Sequence, residues 1–160
     1  MPEFHSSPGG AILELDADES ALLRGLVAEL RSVIVRRPEG TGPVTDRLFP
    51  DAYDRPDDQL AYDELTRDAL QTHKLRALDA ISLALHEGRN LVELTGEELE
   101  LWLAGLTDLR LAIGTRLGVD EERMSAEVDP ADPDAYPMAV LHWLGWLQEG
   151  LLRSLDVRGL

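Results

Sequence analysis

The sequence predicts a mainly α-helical fold, a bundle of four to five helices with a minor two-stranded antiparallel sheet. Three observations lead there. Residues 95–119, TGEELELWLAGLTDLRLAIGTRLGV, are apolar around most of a helical circumference, as a helix enclosed by other helices reads. Residues 134–155 share that character, with Val140, Leu141, Trp143, Leu144, Leu147, Leu151, Leu152 and Leu155 covering most of the surface. Two short alternating runs, AILEL at 11–15 and NLVEL at 90–94, each stand just before a helical pattern. A lone strand has nowhere to send its backbone hydrogen bonds, so these two are expected to pair.

Taken in order, residues 1–10 lack an anchor and read as a flexible N-terminus. Residues 11–160 read as a single helical domain. After the first strand, Asp16 and Glu19 stand at capping-box spacing. The helix they open buries Leu23, Leu26, Val27, Leu30, Val33 and Ile34 and ends near Arg37, because Pro38 disfavours helical geometry before it. A loop, EGTGPVTD, leads to LFPDAYDRPDD, where Phe49, Pro50 and Tyr53 are expected to pin the connection to the body. Helical pattern starts near Asp57, with Thr66 either capping a new segment or lying inside a continuous one, and Gly88 is the stop beyond His86. In the helix of residues 95–119 Thr95 and Glu98 are at capping-box spacing, and Gly118 stands where a left-handed residue is needed. Leu99, Trp102, Leu106, Leu109, Ile113 and Leu117 form its core face. Residues 118–133, acidic and carrying Pro130 and Pro133, read as an exposed connection, and Pro137 falls in the first turn of the last helix.

The two strand–helix units also align on each other. Residues 12–31 match 91–110 without gaps, with identities at Glu14/Glu93, Leu15/Leu94, Glu19/Glu98, Leu22/Leu101, Leu30/Leu109 and Arg31/Arg110. An internal repeat and convergent cap-and-stripe patterning both produce such a match.

The net charge of −16 limits function more than any motif does. Gripping nucleic acid directly requires Lys and Arg to displace phosphate counterions, and an anionic membrane surface makes the same demand. Neither is expected as a partner. The chain has no cysteine, no basic-then-apolar N-terminus and no apolar run near the roughly 20 residues that span a bilayer, so it reads as cytoplasmic.

Polar residues where the pattern asks for apolar ones are the candidate sites. Lys74, the only lysine, points between Leu70, Leu78, Ile81 and Leu85. Arg110 falls near the direction of Leu99, Leu103 and Leu117, and Gln148 lies among Leu141, Leu144, Leu152 and Leu155. The two cations either snorkel to water, join a buried ion pair, or face an anion pocket. Asp51, Asp54, Asp108 and Glu149 are the candidate partners. Lys74, Arg110 and Gln148 are therefore the candidate ligand-binding residues. Trp146, at the border of its helix's apolar sector, is a candidate interface anchor.

His5, His73, His86 and His142 have no second ligand at helical metal-site spacing, and no nucleophile elbow or phosphate loop is present. No metal, cofactor or catalytic residue is expected.

The blocks LFPDAY (48–53), LTRDALQTHK (65–74), WLAGLTDLRLAIGTRLGV (102–119) and HWLGWLQEGLL (142–152), in this order, resemble an uncharacterised actinobacterial family, domain of unknown function 2017. The resemblance covers residues 11–155. It implies no catalytic residue. It does imply a gene neighbourhood near the adaptor of the Clp protease, and regulator labels for some members. The resulting expectation is a non-enzymatic interaction or regulatory protein whose partner is a protein, a Clp adaptor or protease component or a second copy of itself. The alternative is a small anionic-ligand sensor, or an enzyme, with a pocket near Lys74 and Arg110.

Overall fold

Alternation organises the N-terminal part of the chain. Ala11, Leu13 and Leu15 all point inward and are fully buried, while Ile12 and Glu14 between them are half-buried. In the computed structural model, which describes residues 1–36, 43–49, 60–120, 122, 124, 127 and 129–156, the elements run β1 (Glu3–Ser7), β2 (Gly10–Leu15), α1 (Ala17–Val35), α2 (Pro43–Leu48), α3 (Leu60–Ala84), β3 (Asn90–Thr95), α4 (Glu97–Leu117) and α5 (Ala135–Asp156). The fold is α-dominant, with five helices among the described residues.

The sheet has three strands, not two, in the order β1-β2-β3 and antiparallel throughout. The expected pairing is present: Leu15 faces Asn90 and Gly10 faces Thr95. The added strand comes from the N-terminal stretch read as loose. EFHSS alternates weakly, yet the Gly9–Gly10 turn folds it back so that Phe4 faces Leu13 across the ladder and its ring packs on Gly150 of α5. One strand edge and one helix surface thereby anchor a segment with little apolar pattern of its own.

Asp16 caps α1 as expected. Its Oδ1 accepts the Glu19 N–H at 2.8 Å, and Glu19 Oε1 accepts the Asp16 N–H at 3.0 Å. The backbone bond from Glu19 chiefly holds the Asp16 carboxyl below its ordinary range, with the Glu19 side chain and the N-terminal amine acting in the same sense against desolvation. A depressed folded value means the contribution is present above pH about 4 and is lost as pH falls through the folded value. Asp16→Asn keeps the acceptor and removes the titration. The gap in melting temperature between wild type and this variant should narrow between about pH 7 and about pH 2.5. A constant gap would count against the cap's role in acid sensitivity.

The matching cap on α4 does not form. Thr95 is held in the β3 ladder opposite Gly10, so the N-cap passes to Gly96, at φ 49°, with no side-chain hydrogen bond. Glu97, Glu98 and Glu100 then fill the first turn, where carboxylates favour the positive end of the helix dipole. At the other end Gly118 takes the left-handed conformation as expected, and its N–H reaches Gly114 O and Thr115 O. α3 is continuous through Thr66. α2, opened by Pro43, lies in what reads as loop, and the expectations for Pro38, Pro50, Tyr53 and Asp57 fall outside the described residues.

α4 is the centre of the bundle, packed against α1, α2, α3, α5 and β3. Trp102 and Leu106 on it are buried, as are Leu144, Leu147 and Leu151 on α5, which lies over the sheet. Under the gap-free alignment of the two strand–helix units, the buried positions coincide: Leu13 with Val92, Leu23 with Trp102, Val27 with Leu106 and Leu30 with Leu109. Asn90 of β3 ties the second strand–helix unit to the first, its Nδ2 donating to Ser20 Oγ at 2.8 Å and to His86 O at 2.8 Å while its Oδ1 accepts the His86 N–H. No helix among the described residues is long and apolar enough to cross a membrane.

Candidate functional site

Asp108 and Arg110 stand two positions apart on α4, about 200° around the helix, and so address opposite neighbours. Asp108 faces α3. Its Oδ1 accepts from Lys74 Nζ at 2.8 Å, with the two side chains only 10 % and 12 % exposed. This closes Lys74 in a buried ion pair with one of the carboxylates expected for it. Lys74 therefore lies apart from the other candidate residues.

Arg110 faces α5 instead. Its Nη1 donates to Gln148 Oε1 at 2.8 Å, and Gln148 is itself oriented by donating Nε2 to Thr107 Oγ1 at 2.6 Å and to Leu103 O at 3.3 Å. The guanidinium lies against Gly145, where a Cβ would come within 3.4 Å of Nη2 and 3.5 Å of Cζ and Nε. Arg110 Nε is buried without an acceptor, and among the described residues no carboxylate pairs with the side chain.

Two cavities are lined in part by Arg110. The larger, about 630 Å³, is lined by Arg110, Arg47, Thr107, Gln148, Leu111 and Leu141 among others, and no Asp or Glu lines it among the described residues. The smaller, about 340 Å³, is lined by Arg110, Met124, His142, Gly145, Trp146 and Glu149. Trp146 is 37 % exposed there, and Glu149 reaches Arg153 at 3.6 Å. His142 Nε2 lies 3.2 Å from Met124 O, and Met124 lines both cavities.

The fold thus places Gln148 at the larger cavity and Trp146 at the smaller, with Arg110 lining both. Sequence reasoning missed Arg47, which sits on a short helix without periodicity, and Gly145, whose role is to leave room. It also missed a cross-strand group. Glu3, His5 and Glu14 bring their ligand-type atoms within 4.8 Å of one another on β1 and β2, a proximity that only strand pairing creates. Glu14 in that group, half-buried, is already ion-paired with Arg89.

The α-dominant bundle and its three-stranded sheet place the chain in a structural class without a defining chemistry, and no solved structure matches it. The family described as Domain of unknown function (DUF2017) matches residues 1–155, and the chain belongs to it. A Mycobacterium leprae (strain TN) protein named "Putative oxidative stress regulator AosR" is 32% identical, over 91% of this chain and 74% of its own length.

Proposed function

We propose that the chain is a non-enzymatic regulatory protein that acts by binding a protein partner through its acidic surface. The observation that carries this reading is where the charge sits. The chain has 31 Asp and Glu against 15 Lys and Arg, and among the described residues Asp108 is the one buried carboxylate. Glu14 and Glu19 are half-buried, and many of the other described carboxylates are exposed, as at Glu97, Glu98 and Glu100. A one-signed field speeds encounter with a basic partner surface and disfavours partners of like charge. The relative's name, with its word regulator, is the second support. That name also speaks of oxidative stress. These 160 residues hold no cysteine, so a thiol switch is not open to them. An adaptor role beside a Clp-type protease is the finer form of the proposal, and self-association is the competing form.

The test is capture of partners by the tagged full chain, followed by a salt titration of the complex. A stoichiometric protein partner should be retained at low salt and released as ionic strength rises from about 0.05 M to about 0.5 M. Replacing Glu97, Glu98 and Glu100 together by Gln should weaken retention. Binding indifferent to both, or no partner at all, would overturn the reading.

A further inference from the structure

We propose that the larger cavity between α4 and α5 binds an oxyanion, a carboxylate or phosphate group, carried on an apolar body, with Arg110 as its anchor. The inference stands on the cavity itself and does not need the partner reading. It starts from an imbalance. In a chain with a net charge of −16, the half-buried Arg110 has no carboxylate partner among the described residues. Leaving a cation partly desolvated and unpaired is costly, and excess acid was available to neutralise it.

The comparison within the molecule sharpens the point. Arg31 occupies the aligned position in the first strand–helix unit, and its Nε reaches Asp79 Oδ1 at 2.8 Å. Arg110 instead donates to a neutral amide, Gln148 of α5. That amide is fixed with its oxygen toward the guanidinium, because both donors of Gln148 Nε2 are directed at Leu103 O and Thr107 Oγ1. Gln148 therefore positions Arg110 without cancelling its charge. Among the described residues Nη2 has no protein acceptor, so this charged N–H can donate to an oxyanion, while Nε stays buried.

The rest of the wall describes the ligand. Arg47 adds a second guanidinium with no ion-pair partner among the described residues. Thr107 and Thr115 donate their hydroxyl protons back to Leu103 O and Leu111 O, so they add no competing donors. Leu111, Val119, Met124 and Leu141 make the remaining lining apolar. A volume of about 630 Å³ suits a metabolite-sized molecule. A ligand that combines an anionic group with hydrocarbon is the chemistry that matches this lining.

Calorimetric titration of the full chain with octanoate, octyl phosphate and 1-octanol tests this. At least one of the two oxyanions should bind one to one and about tenfold or more tighter than the alcohol, and which one identifies the head group. Arg110→Met should bring that oxyanion to the alcohol's affinity while the melting temperature holds or rises, since the variant removes an unpaired half-buried charge. Arg110→Lys should retain part of the preference. The proposal is overturned if the alcohol binds as well as both oxyanions, if a folded Arg110→Met keeps the oxyanion affinity, or if no probe binds.

Discussion

Lys74→Met is expected to destabilise the protein by about 3 kcal/mol, at the lower end of the range for breaking a buried pair. The lysine's charge is not what the bundle loses most. Asp108 is 7 % exposed, and Lys74 Nζ is the hydrogen-bond partner shown for its carboxylate. Without the ammonium, a carboxylate stays between α3 and α4 with its desolvation uncompensated. The lower end applies because both side chains keep about a tenth of their surface in contact with water and can relax toward it. For a chain of this size the loss corresponds to a melting temperature lower by roughly 6–12 °C. Adding Asp108→Leu should return most of the stability, because the pair is then replaced by apolar groups rather than broken. Urea unfolding of the two single variants and the double variant reads all three. A Lys74→Met protein within about 0.5 kcal/mol of wild type would mean the pair contributes nothing.

Gly10→Ala is expected to cost about as much for a purely steric reason. A Cβ on Gly10 would lie 1.7 Å from Leu94 O and 2.6 Å from Leu94 C, atoms of the neighbouring strand's backbone. Backbone cannot rotate aside as a side-chain tip can, so β2 and β3 must separate locally and give up ladder bonds near the Gly10–Thr95 pair. About 3 kcal/mol follows from overpacking at such a contact. Gly25→Ala is the control. It lies exposed on α1 with nothing within 4 Å of its added methyl, and should gain about 0.5–1 kcal/mol from helix propensity alone. If both alanines behave alike, the close strand approach is wrong.

How much of this was legible follows from what each signal measures. Helical spacing marked α4 and α5 because one stripe repeated over several turns outweighs any single residue. A cap depends on a few residues, and at Thr95 strand pairing with Gly10 won over the capping box. β1 was illegible because EFHSS earns its place through Phe4 on Gly150 and a ladder to β2, neither visible in five residues. Lys74, Arg110 and Gln148 all stood out as polar intrusions, yet nothing in one dimension separates a closed pair from an open one. Periodicity gives a direction around a helix, and only the packing of α3 and α5 on opposite sides of α4 decides which neighbour lies there. Arg47 lacked even a direction.

The pairing of β2 with β3 also bears on how the chain finds its structure. Strands that meet with the whole of α1, α2 and α3 between them cannot nucleate locally, since the entropy of closing so long a loop precedes any hydrogen bond gained. The β1–β2 hairpin, joined by a tight turn, carries no such delay. The expected order is docking of the helices first, bringing Asn90 to Ser20, and then closure of the central ladder. Closure of the β2–β3 ladder is therefore expected to come late, and a change at Gly10 should speed unfolding more than it slows the initial collapse.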